Sequence, residues 1–413
     1  MKKLALILAA VMGLTLCGCA GVDGDLSGGD VLNGLFSQGS ASESTAEAPA
    51  KADISETVKG IDLSFASEYY LQNAGENIRT ACKAIISSAQ KGERTTDLDG
   101  LGLTEADLSD IVTLVVSCTP ELASVNNEFS YTVGTDGKIK ACTLELTYGK
   151  TRQEEINAEL ITAADIIVGA AAGQDDFSKL CSFHDALVRK CVYTDKAESP
   201  YTAYGCLVEG EAVCEGYSKA FLLLCQRAGI DCIPVFGVTN EDGGTAHMWN
   251  KVRLEGEWYN VDVTWDDPVS SIGEDFVRHD YLCITDDMIL TDHTFEENGL
   301  MKYPAAEGEK FNFFRWSGLY IDDVSKADDI LLAAIGQKVF LGEKYVQVLC
   351  SDRDVYDSVY SREFEEGADG NTRIFGILSS AAYASNGALN SNTYSVSKND
   401  GALTLTVILS YLP

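Results

Sequence analysis

Histidine is scarce in this chain of 413 residues. The four present, His184, His247, His279 and His293, are scattered and none has HExxH spacing, so the helical zinc-protease signature is excluded and no metal-ligand cluster can be read. Thirteen cysteines occur without any CxxC pair, which removes the common zinc and dithiol redox spacings. No cofactor is expected. Basic residues are few, 31 against 63 acidic ones, for a net charge of −32. A field of that sign excludes general binding to nucleic acid or anionic headgroups. The leading apolar run is also too short and too close to the N-terminus to be an ordinary membrane span.

What is present at the N-terminus is "MKKLALILAAVMGLTLCGC", two lysines ahead of an apolar run, which reads as an export signal over residues 1–19. Leu16, Cys17, Gly18 and Cys19 resemble the lipobox of bacterial lipoproteins, which implies a lipid anchor on Cys19 and a location on the outer face of the bacterial cytoplasmic membrane. Residues 20–55, rich in Gly, Ser, Ala and acids, offer little to bury and are expected to form a tether. With Cys17 removed and Cys19 lipidated, 11 cysteines remain. Cys82, Cys142, Cys181, Cys191 and Cys225 fall in or beside apolar runs, where reduced, buried thiols are expected.

With 46% apolar residues the chain can fill two or three cores. Residues 68–90 and 105–117 each carry apolar side chains at helical spacing, the second after a cap at Thr104. Alternation from Phe129 to Tyr148 around "GTDGK" predicts a β-hairpin, and a helix begins near Gln153, giving an N-terminal α+β domain over 56–165. A central domain follows over 166–300. Its first helix, in "DFSKLCSFHDALVRKCVYT", places His184 on the apolar face as a packing residue. Residues 301–413 predict a C-terminal α+β domain with a helix near 322–337, a strand through "YVQVLCS", a helix around 353–364 and a hairpin about "KNDGA".

The chemistry lies in the central domain. Cys214 precedes "EGYSKAFLLLCQRAG", where Tyr217, Ala220, Phe221, Leu224, Cys225 and Ala228 form one apolar face and Gly229 supplies a stop. A thiol at a helix start meets about half a positive charge, which favours thiolate, and unsatisfied backbone N–H groups that can receive an oxyanion. "HMWNKVRL" and "EWYNVDVTW" read as strands joined across Glu255 and Gly256. That loop length puts His247 opposite Thr264 and on one face with Asp262, a diagonal pair at about 7–8 Å between backbones and within side-chain reach. Cys214 is then the nucleophile, His247 its base and Asp262 the group that orients the base. Asp266 and Asp267 are second choices for the orienting role, with loop exit or capping favoured for them.

The strings "AYGCLVEGEAVCEGYSKAFLLLCQRAGIDC", "AHMWNKVRLEGEWYNVDVTWDDP" and "FHDALVRKCVYT" resemble the bacterial transglutaminase-like superfamily of papain-like fold, over about 175–295. The resemblance implies an α+β core in which the nucleophile's helix packs on an antiparallel sheet, flanked by small α+β domains, with Cys214, His247 and Asp262 at the triad positions. It implies a peptidase or amidase working through a thioester on a protein or peptide, a peptidoglycan peptide among them. Transglutaminase-type crosslinking by the same triad and a non-enzymatic peptide or cell-wall binding module are the alternatives. Met248 departs from the small residue of many relatives, and Tyr204 is a position to weigh, without assignment, for the family's additional aromatic oxyanion donor.

Overall fold

A computed structural model of the chain describes residues 37–42, 54–240, 244–267, 276–367, 372–384 and 388–412. Cys19, and with it the signal and anchor reading, lies outside them. Within the expected tether, Ser37–Ser42 is a strand, β1, paired in parallel with the later β3. Edge pairing uses backbone N–H and C=O groups, so a strand of Ser, Gly, Ala and Gln can form where composition alone predicts none.

The chain divides into two compact units, one taking residues up to Asp267 together with Asp292–Ala306, the other taking Pro268–Thr291 with everything from Glu307 onward. In the first, α1 (Phe65–Leu71) and α2 (Glu76–Gln90) are separate helices where the spacing over 68–90 predicts one. The break falls at "NAG", where Gly75 becomes the N-cap of α2. After β2 (Thr95–Asp97), α3 (Glu105–Cys118) starts at Thr104 in a capping box: Thr104 Oγ1 accepts from the Asp107 N–H, and the Asp107 carboxylate accepts from the Thr104 N–H. The hairpin of β3 (Val125–Val133) and β4 (Ile139–Leu146) completes a sheet in the order β1-β3-β4-β2.

This first portion shares a unit with the segments that follow it, and hydrogen bonds join the two. The Tyr70 hydroxyl donates to the Pro234 carbonyl at 2.5 Å, and the Gln226 amide to the Cys118 carbonyl at 3.3 Å. Next come α4 (Lys150–Ala170) and α5 (Asp176–Lys190), the latter capped by Asp175. The central helix, α6 (Cys214–Ala228), ends at Gly229 with φ +73°, the left-handed stop that glycine adopts without strain. Its Phe221, Leu223 and Leu224 are fully buried, worth about 1.5–3 kcal/mol each in transfer from water. After β5 (Val192–Tyr193) and β6 (Glu211–Ala212), the strands β7 (Cys232–Thr239), β8 (Thr245–Leu254), β9 (Glu257–Val261) and β10 (His293–Phe295) lie in the antiparallel order β9-β8-β7-β10. The fold is α+β, with a helix packed on an antiparallel sheet at the core of this unit.

The second unit holds a sheet ordered β11-β12-β14-β13, from Tyr320–Ile321, Tyr345–Cys350, Thr404–Tyr411 and Leu389–Asn399 respectively. Three helices, α8 (Ala327–Leu341), α9 (Arg353–Phe364) and α10 (Ile374–Ala384), share a core with it through Leu331, Ile335, Val359, Ile374 and Leu378. The expected 322–337 helix sits later, because Asp323 caps a short 3-10 turn first and Gly342 sets the end. No described helix is long and apolar enough to cross a membrane.

Candidate active site

Cys214 is the first residue of α6 and is 2% exposed. Val213 before it supplies no side-chain cap. The helix is held against β8 by two reciprocal bonds: Ser218 Oγ donates to the Trp249 carbonyl at 3.0 Å, and the Asn250 amide donates to the Ser218 carbonyl at 3.2 Å. Past Gly229 the chain enters β7 at Cys232, opposite Val252, and the Arg253 N–H bonds the Asp231 carbonyl. So α6 rises along β8 in the strand's own direction. One turn back from Ser218 is Cys214, and two residues back from Trp249, on the same strand face, is His247. The topology brings thiol and imidazole to the same end of the helix and strand.

The hairpin loop is the expected two residues, Glu255 at φ +50° and Gly256 at φ +91°, with Leu254 facing Glu257. Positive φ at both positions is what a type I′ turn requires. Pairing runs only to Asn250 opposite Val261, so Thr264 does not face His247 as the count predicts. The chain turns out of the sheet at Asp262, whose Oδ1 accepts from the Thr264 and Trp265 N–H groups at 3.0 and 3.1 Å and caps the short helix Val263–Asp266, α7. Its other oxygen, Oδ2, lies 2.6 Å from His247 Nε2. Burial by itself pushes the Asp262 carboxyl up, but the facing imidazoles and their hydrogen bonds outweigh it and hold the group well below the usual carboxylate range.

Asp267 is the C-cap residue of α7, and the side chains of Asp266 and Asp267 each bind a further partner. Asp266 is fully buried, with Oδ2 3.0 Å from His184 Nε2; His184 Nδ1 meets Asp185 at 3.1 Å. His184 is thus a core histidine between two carboxylates. Asp267 accepts from the Tyr217 hydroxyl at 2.5 Å, and burial pushes its carboxyl up to about 6. Tyr204 turns its hydroxyl to Glu159 at 2.5 Å. Met248 is fully buried on β8.

The residue missed in the sequence is His293. Its Nε2 lies 3.2 Å from the same Asp262 Oδ2, and its Nδ1 lies 2.6 Å from Asp292 Oδ1. Nothing in local spacing links it to Asp262; the pairing of β10 with β7 brings it there, His293 opposite Thr239. Ligand atoms of His247, Asp262 and His293 lie within 4.8 Å of one another. The contacts of Oδ2 to both rings at hydrogen-bond distance account for that spacing. The 11 described cysteines are without disulfide partners and all but Cys181 are buried. Burial pushes Cys82, Cys142, Cys181 and Cys350 up to about 12.

Residues 163–263 match the family model of the transglutaminase-like superfamily, an interval that contains all three proposed triad residues. Kyphoscoliosis peptidase of Mus musculus and that of Homo sapiens are each 38% identical over 61 residues, 13% of this chain. The chain spans about 9% of the length of those relatives. A crystal structure of a TGase covers 35% of this chain and 53% of its own at 11% identity and a TM-score of 0.24. A proposed cysteine protease from Cytophaga hutchinsonii covers 37% and 55% at 15% identity and the same TM-score.

Proposed function

We propose that the protein is a cysteine-nucleophile acyl-transfer enzyme, a peptidase or amidase, held by a lipid on Cys19 at the outer face of the bacterial cytoplasmic membrane; the match of residues 163–263 to the transglutaminase-like superfamily supports the enzyme class. The observation that carries the reading is the 2.6 Å bond of Asp262 to His247 Nε2, on the strand along which the Cys214 helix ascends. With Nε2 committed to Asp262, Nδ1 is the ring nitrogen left for the thiol. The thiolate of Cys214 attacks the carbonyl carbon of an amide while the His247 ring holds the proton; backbone N–H groups at the start of α6 receive the oxyanion. Collapse breaks the C–N bond, His247 protonates the leaving amine, and a thioester remains on Cys214. Water, deprotonated by His247, releases the acid.

An amine that intercepts the same thioester would give crosslinking. Hydrolysis is favoured here because the relatives that match over 61 residues bear the name peptidase. The substrate class is a protein or peptide, a cell-wall peptide included. The test is incubation of the full chain with an extract of bacterial cell envelope, with and without a biotinylated primary amine, followed by mass spectrometry and a Cys214→Ala control. An acyl adduct on Cys214 that disappears in the control supports the reading, and transfer to the amine in place of release selects crosslinking. Capture of unmodified peptide without any adduct would make the domain a binding module instead.

A further inference from the structure

Asp262 serves two imidazoles at once. His247 Nε2 and His293 Nε2 both address Oδ2, at 2.6 and 3.2 Å, while Oδ1 is occupied by two backbone N–H groups. His293 has a carboxylate at each ring nitrogen, Asp262 at Nε2 and Asp292 at Nδ1. Ionised carboxylates only accept, so a ring that satisfies both must carry two N–H groups and a positive charge. The ring is 1% exposed and enclosed by Trp265 at 4.4 Å, Trp249 at 5.2 Å and His247 at 5.3 Å between centroids. Titratable groups that face it include Asp262 at the start of α7, Asp292 beside it in the chain, and His247 on β8; opposite on β7 is Thr239, which has no charge.

We propose that His293 is a positioning residue of the Cys214 site: as an imidazolium bridging Asp292 and Asp262, it fixes the Asp262 carboxylate and offsets part of its charge, so that Asp262 orients His247 without over-stabilising its protonated form. The inference rests on the acyl-transfer reading above. Burial alone would push the His293 ring down, but its bonds to Asp262 and Asp292 raise it to about 9, so the bridge is charged at neutral pH. A carboxylate addressed by one cation alone would hold that cation's proton more tightly. Loss of the His293 charge therefore leaves Asp262 a stronger acceptor toward His247.

The test uses iodoacetamide on the full chain, with alkylation of the Cys214 peptide followed by mass spectrometry from pH 4 to 10, in the parent and in His293→Gln. Glutamine keeps an N–H donor for Asp262 and removes the charge. In the parent Cys214 should be alkylated at pH 6 ahead of the other thiols. His293→Gln should displace the pH profile of Cys214 alkylation from the parent's by about one pH unit. A profile that superimposes on the parent's overturns the inference, because a role limited to hydrogen bonding or packing predicts no movement. Should the variant not fold, ¹⁵N spectra of the histidine rings in the parent decide: both His293 nitrogens protonated at pH 7.5 supports the bridge, and one unprotonated nitrogen overturns it. Failure of Cys214 to react at pH 6 ahead of the other thiols would remove the acyl-transfer reading and this inference together. An activated Cys214 with an unmoved profile removes the inference alone.

Discussion

His247 Nε2 lies 2.6 Å from Asp262 Oδ2, and the same Asp262 caps the helix that follows it through its other oxygen. One carboxylate thus joins local folding to the proposed chemistry, and two substitutions should separate these duties. Asparagine is as good a cap as aspartate. Asp262→Asn should leave the melting temperature near the parent's yet slow alkylation of Cys214 at pH 6 by at least about tenfold, since the neutral amide no longer favours a charged His247. Asp262→Ala should show the same chemical loss and about 1 kcal/mol or more of instability. Equal reactivity in parent and Asp262→Asn would contradict the orienting role.

Gly216, in the first turn of α6, has no room for a side chain. A Cβ there would come 2.6 Å from the Pro200 carbonyl oxygen, 2.7 Å from Ala212 Cβ and 3.0 Å from the Thr202 carbonyl oxygen. Two of these are backbone atoms, so the helix start must shift. Gly216→Ala should cost about 1–3 kcal/mol in urea unfolding and depress Cys214 alkylation. Unchanged values for both would mean that the helix start can move without consequence.

His184 predicts how stability varies with pH. Burial alone would push its ring down, but the bonds from Asp185 and Asp266 raise it to about 9. An unfolded histidine titrates near 6.5. The folded state binds the proton more tightly, so the stabilisation is complete below about pH 6.5 and is lost as pH rises through about 9. Its size is on the order of 3 kcal/mol. The urea midpoint should therefore fall between pH 7 and pH 10, and His184→Gln should flatten that fall. An equally steep fall in the variant would assign it to other groups.

How much of this was legible follows from the range of each interaction. The α6 start at Cys214 and its end at Gly229 could be read because apolar spacing and a left-handed stop are local signals. The His247 to Asp262 relation could be read because a two-residue loop fixes the register of a hairpin, although the exit of Asp262 into a cap could not. His293 was not legible: it meets Asp262 across 31 residues through a three-residue strand whose partner is set by the whole sheet. Asp266 likewise meets His184 from 82 residues away, which no pattern around "WDDP" reports. In the second unit α10 went unread, and β1 is a polar strand held by its backbone.

The most direct test of the central claim is competition among the thiols of one molecule. The native full chain is treated briefly with iodoacetamide at pH 6, denatured, labelled with a second alkylating agent, and digested for mass spectrometry. The account predicts that Cys214 carries the first label almost alone, that Cys82, Cys142, Cys181 and Cys350, pushed up to about 12 by burial, carry the second, and that His247→Ala abolishes the difference. First label on Cys214 no greater than on those four, or selectivity that survives His247→Ala, would contradict it.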